Sequence, residues 1–120
     1  MTTEVTDNEV LHRRVHPTHV KPDGSVSSAA FTDDELSVDR ASLRTPEETL
    51  EGRRNYGIVS LVVGEVRSLK QEVRADPTLL NPAHALVLGH KPKSLQRQLA
   101  RSARWVVRVA DQCTSAQASE

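Results

Sequence analysis

A chain of 120 residues has room for one hydrophobic core, because two cores at this length would each be marginal. Only 37% of the residues are hydrophobic and the aromatics are Phe31, Tyr56 and Trp105. The core must therefore come from Val, Leu, Ile and Ala, and modest stability is expected of it. The single cysteine, Cys113, excludes an intramolecular disulfide and a cysteine-built zinc site. The first twenty residues carry acids and no signal-type apolar run, and the longest apolar run, 56–63, is far below the ~20 residues that cross a bilayer. A cytoplasmic protein without membrane contact is expected.

The net charge of zero hides a dipolar chain. Residues 1–56 hold seven basic and eleven acidic residues, whereas 57–120 hold nine and five. Between Pro77 and Ala110 no acid occurs, while Lys91, Lys93, Arg97, Arg101, Arg104 and Arg108 all fall there. Such asymmetry points to an anionic partner for the C-terminal half.

In chain order, residues 1–9 are acidic and aperiodic and are expected to be disordered. Residues 10–16 alternate as a strand that Pro17 stops. Residues 21–25 form a turn: Pro22 presets φ, Asp23 bonds its own backbone, and Gly24 takes positive φ. Residues 26–31 read as extended, and 36–39 as a short strand. Thr45, Pro46 and Glu48 open a short helix with a capping box, ending near Gly52. The β-branched run 56–66 predicts one central strand covered on both faces, with Glu65 in it. Val73 marks a short edge strand, and 84–88 a further strand closed by Gly89. A helix from about 95 to 109, capped by Ser94, completes the domain at 110. The tail, 111–120, is polar and expected to be disordered. The resulting fold class is α+β: a mostly antiparallel sheet of four to six short strands, one short helix, and a C-terminal amphipathic helix packed on the sheet.

On that last helix, advancing 100° per residue sets Arg97, Arg101, Arg104 and Arg108 on one stripe about 16 Å long. Leu95, Leu99, Val106 and Ala110 fall on the opposite face. Same-sign groups at i and i+4 cost helix stability unless something neutralises them. Either Glu47, Glu48 and Glu51 do so from within, or an external anion does. The expected function is a non-enzymatic binding module whose arginine stripe, extended by Lys91 and Lys93, engages an acidic protein surface or a nucleic acid. Guanidinium forks suit phosphate, whereas the scarcity of aromatics speaks against base stacking and leaves only Trp105 near the stripe.

His12, His16 and His19 cluster near the first strand, with His84 and His90 further on. They lack HExxH spacing and cysteine partners, so no metal site is assigned and no cofactor is expected. Ser25, Ser27 and Ser28 lie near Asp23 without a nucleophile elbow. The alternative to a binding module is a small enzyme on the N-terminal sheet around Arg13, His16, Ser28 and His84. Arg13 and Ser27-Ser28 loosely resemble the arginine and serine positions of ADP-ribosyltransferases, with Glu65 as the stand-in for the catalytic acid.

The blocks Leu11-His12-Arg13-Arg14-Val15, Ser27-Ser28-Ala29-Ala30-Phe31, Leu36-Ser37-Val38-Asp39 and Pro82-Ala83-His84-Ala85-Leu86-Val87-Leu88-Gly89 resemble those of small uncharacterised bacterial proteins, over about residues 10–107. The resemblance implies a complete bacterial protein and transfers no catalytic residues. A homodimer would be in keeping with an exposed face on so sparse a core.

Overall fold

The computed structural model describes residues 4–53 and 55–109. Within them, six strands form one antiparallel sheet: β1 (Val10–Val15), β2 (Glu35–Arg40), β3 (Gly57–Val62), β4 (Glu72–Ala75), β5 (His84–Leu88) and β6 (Arg104–Val107). Their order is β4-β5-β2-β1-β3-β6, so β4 and β6 are the edges. Three α-helices accompany them among the described residues: α1 (Pro46–Leu50), α2 (Val63–Ser68) and α3 (Lys93–Ser102). The fold is α+β, as the sequence predicts. Among the described residues no helix is long and apolar enough to cross a membrane.

Strand alternation divides the sheet into two unlike faces. Leu11, Val15, Leu36, Val38, Val59, Leu61, Ala85 and Val87 point to the main core, where Phe31 and Leu99 join them. On the other face a polar row runs across five strands by register: Arg104, Ser60, His12, Asp39 and His84. The five-residue α1 packs near that row. It begins as expected, with Thr45 capping the Glu48 amide and the Glu48 side chain accepting from the Thr45 amide. Its exit uses left-handed backbone at Glu51 (φ 50°) and Gly52 (φ 78°).

Several elements depart from the expectations. The run 56–66 is not one strand: β3 ends at Val62 and the chain turns into α2. Val63 and Val66 stand one helical turn apart and are both buried, which satisfies the same apolar residues on a 3.6-residue period. The Val63 and Gly64 amides donate to the Glu9 and Asp7 carbonyls. A Cβ on Gly64 would lie 3.1 Å from the Asp7 oxygen, so glycine permits this approach. Glu65 therefore sits on a helix rather than on the central strand.

The same contacts order residues 4–9, expected to be loose. Val5 is buried, Arg67 bonds Asp7 and the Val5 carbonyl, and Glu9 pairs with Arg40. Residues 28–31, expected to be extended, form a 3₁₀ turn capped by the Ser27 hydroxyl, which buries Ala30 and Phe31. The expected tail, 111–120, lies outside the described residues.

The largest departure is at the C-terminal end. The helix starts at Lys93 with Pro92, not Ser94, at the cap position, and ends at Ser102. Ala103 then takes extended backbone (φ −73°, ψ 142°), and residues 104–107 pair with β3. Trp105, Val106 and Val107 are strong strand formers, and the free edge of β3 offers their backbone a full set of partners. Gly57 admits them, since a Cβ there would meet the Val107 carbonyl at 2.6 Å. Leu95 and Leu99 do face the core, but Val106, expected there, is exposed.

Candidate anion-binding groove

Breaking the helix at Ser102 splits the arginine stripe without dispersing it. Arg97 and Arg101 remain one turn apart on α3. Trp105 and Arg108 come back alongside them from β6 and the residue beyond its end, and the turn 21–28 forms the facing wall. Together they line a groove of about 750 Å³, whose remaining wall includes Lys21, Ser25 and Ser28.

The turn that makes the wall is built as its sequence requires. The Gly24 amide donates to the Lys21 carbonyl, Gly24 takes φ 88°, and Asp23 accepts from the amide and hydroxyl of Ser25. Those two bonds hold the Asp23 carboxyl below the usual carboxylate range. The Gly24 carbonyl is the hinge pin of the site. It accepts from Trp105 Nε1 at 3.1 Å and from Arg108 Nη1 at 3.2 Å. The Arg108 guanidinium carbon lies 5.4 Å from the centre of the Trp105 ring, so the two planar groups form one anchored pair.

Among the described residues, no carboxylate lies within ion-pair distance of Arg97, Arg101, Arg104 or Arg108. Of the internal candidates, Glu51 binds Arg14, Arg44 and Arg53, Glu48 closes the α1 cap, and Glu47, on α1, forms no ion pair with these arginines among the described residues. Among the described residues Asp23 is the one acid in the groove wall, against Lys21, Arg97, Arg101 and Arg108.

Not every residue of the expected patch belongs here. Arg104 pairs with Ser60 and so lies on the sheet's opposite face. Lys93, exposed at the start of α3, continues the Arg97–Arg101 face by one turn but does not line the groove. Lys91 is no surface cation at all. It is 3% exposed, and its ammonium donates to three backbone carbonyls, those of Asp34, Val87 and Gly89, at 2.9–3.1 Å. Burial holds its pKa below the ordinary lysine range, with Asp34 and Asp33 opposing. Three donors on three acceptors tie the start of β2 to the end of β5, which is a structural role.

The opposite face carries a second, smaller pocket of about 260 Å³, lined by His12, Asp39, His84, Arg14, Arg44 and Thr49 among others. Asp39 is its hub, accepting from Arg44, Thr49 Oγ1 and Asn81 Nδ2. His84 Nδ1 is held by the Asp76 carboxylate at 2.9 Å. His12 is buried with no partner for Nδ1, and burial lowers its pKa against the opposing charge of Asp39. Two of the residues expected to make an N-terminal site, Arg13 and His84, border this pocket, but the Arg13 side chain shares the Leu11–Val15 face of β1 and turns away from His84; His16 and Ser28 do not border it. Arg13 is committed to the Ala30 and Ser37 carbonyls, His16 caps the 3₁₀ turn Pro17–His19, and Ser28 lines the groove instead.

The sequence reading missed Lys21 and the 21–28 turn as part of the site, since nothing local says which surface a turn will face. It also missed His12 and Asp39, which only strand register brings together. Compared with protein family models, with curated proteins and with solved structures, the chain matches none.

Proposed function

We propose that this protein is a non-enzymatic binding module that takes an anionic partner in the groove between the 21–28 turn and the α3–β6 unit. The reading is carried by one observation: Arg97, Arg101 and Arg108 converge on a concave surface while no described carboxylate neutralises them. Like charges held together in this way cost stability unless a ligand of opposite sign is bound. Guanidinium groups offer such a ligand paired donors in fixed geometry.

Arg104 provides an internal control, being equally basic and exposed but on the other face. In a binding assay against an immobilised polyanion such as polyphosphate, Arg97→Glu/Arg101→Glu should weaken binding by at least about thirtyfold, as expected for directly paired charges. Arg104→Glu should change it by less than about threefold, the range of a remote charge screened by salt. Equal losses in both variants would reduce the effect to net charge and dismiss the groove.

A small enzyme on the opposite face is the second reading. The unpartnered buried Nδ1 of His12, across Asp39 from a His84 held by Asp76, favours it. The ADP-ribosyltransferase analogy gains no support from Glu65, which lies on α2. Incubation with NAD decides between the two: release of nicotinamide by the protein, abolished in His84→Gln, would replace the binding reading, and an unchanged NAD pool would remove this analogy.

A further inference from the structure

We infer that the partner of this groove is a single-stranded nucleic acid, its phosphates on Arg97 and Arg101 and one base stacked on the Arg108–Trp105 pair; the inference rests on the anion-groove reading above. Three features separate this partner from an acidic protein surface.

The first is shape. A protein surface bearing carboxylates is met by an open patch, whereas these guanidiniums stand around a groove of about 750 Å³. That volume lies within the range of sites that enclose small organic groups, about 300–1,000 Å³. A nucleotide with its flanking phosphate is of that size class.

The second is the planar pair. The only donor of the Trp105 indole is committed to the Gly24 carbonyl and so is not offered to a carboxylate, yet the ring lines the groove with Arg108 set 5.4 Å from its centre. Both groups are fixed by the same acceptor, the Gly24 carbonyl. Little side-chain freedom is then left to lose when a base is laid on them. Bases stack on aromatic rings and on guanidinium planes alike, and every base has such a face, so recognition would tolerate any sequence. Stacking requires an unpaired base, which selects single strands over duplex.

The third is the spacing of the charges. Arg97 and Arg101 are separated by one turn, about 6 Å along the helix axis. They lie on the same wall of the groove as the planar pair and can hold neighbouring phosphates of one strand. The hydroxyl of Ser28, which has no hydrogen-bond partner among the described residues, faces the same space and offers a further donor.

Trp105 is the only tryptophan of the chain, so tryptophan emission, excited selectively over that of Tyr56, reports on this groove alone. The test titrates the full-length protein with a single-stranded oligothymidylate or oligouridylate, the matching duplex, polyphosphate and poly-glutamate. The single strands should quench Trp105 emission and bind more tightly than the duplex. Their affinity should fall with salt on a log–log slope of about −1.4, as for the two phosphate contacts at Arg97 and Arg101 on a single strand.

Arg108→Lys keeps the charge and removes the plane. It should weaken oligonucleotide binding about tenfold, the order expected for one stacked base, and leave polyphosphate binding within about twofold. Polyphosphate binding that matches the oligonucleotide, with no response to Arg108→Lys, would overturn the nucleic-acid assignment and leave the anion groove standing. Poly-glutamate binding tighter than the oligonucleotide would overturn it in favour of an acidic protein, and equal binding of duplex would also overturn it. If no polyanion binds and Arg97→Glu/Arg101→Glu behaves as wild type, both readings fall together.

Discussion

Arginine is used in two opposite ways on the two sides of this molecule. Around Asp39 and Glu51, and where the N-terminal segment docks, arginines are spent inside the fold: Arg14, Arg44 and Arg53 share Glu51, Arg40 holds Glu9, and Arg67 holds Asp7. Around the groove, Arg97 and Arg101 meet no described carboxylate, and Arg108 bonds a carbonyl and packs against an indole. The difference teaches that a cation's role is set by the acids within reach. The acids crowd into the first half of the chain and its strands, and none occurs between Pro77 and Ala110. What the first region uses for stability, the second leaves available for a partner.

The comparison can be broken by removing a cation from each side and measuring unfolding. The largest effect should come from Arg44→Met. Arg44 bridges Asp39 and Glu51 at 3.0 and 2.6 Å, and these bonds raise its own pKa and lower that of Glu51. Its loss leaves the nearly buried Asp39 carboxylate short of its positive partner, at a cost of about 3 kcal/mol in urea unfolding. A cost below about 1 kcal/mol would mean that Thr49 and Asn81 satisfy Asp39 by themselves.

Lys91→Met should follow, with a loss of about 2 kcal/mol, because three carbonyls lose a charged donor while the aliphatic packing is retained. Binding to polyphosphate should be unaffected. A binding defect without a stability defect would return Lys91 to the anion site.

On the groove side the sign reverses. Arg97→Glu places an acid four residues after Lys93 and four before Arg101, pairings favourable to the helix. Stability should rise by about 0.5 kcal/mol while anion binding falls. A loss of stability would show that Arg97 has a structural partner after all.

The smallest effect separates the faces by pH. His12 is buried and its folded pKa lies below the ordinary imidazole value. The unfolded chain therefore binds the proton more readily, so this contribution to stability is complete above the ordinary value of about 6.5 and declines as pH falls through it toward the lowered one. His19 acts in the same direction. The readout is consequently the difference between wild type and His12→Gln: the variant should show a shallower loss of stability between about pH 7 and pH 5. Parallel curves would mean that His12 titrates normally.

The residues that made the fold legible are those whose signals are local. Thr45-Pro46-Glu47-Glu48 states its helix start in full, and Pro22-Asp23-Gly24 its turn. The alternation in β1 and β2, and the short runs of β4 and β5, fall where the pattern puts them. Two apolar runs misled. At 63–66 two valines suit a strand and a helix face equally, and contact with Asp7 and Glu9 chose the helix. At 104–107 helical spacing aligned four arginines, yet Trp105, Val106 and Val107 prefer the pleated edge of β3. Helical spacing thus keeps Arg97 and Arg101 on one face, whereas Arg108 reaches the same groove from beyond the end of β6 and Arg104 lies on the opposite face of the sheet.

By itself, the sequence determined the α+β class, the turn at Gly24 and the excess of positive charge without nearby acids, because each depends on neighbours within a few positions. The tertiary structure alone decided that Arg108 returns beside Arg101, that a turn eighty residues away closes the groove, and that Lys91 is buried. Those outcomes depend on which strand edge is left unpaired and which carbonyls are left without donors. Such long-range satisfaction of backbone groups has no local signature in the chain.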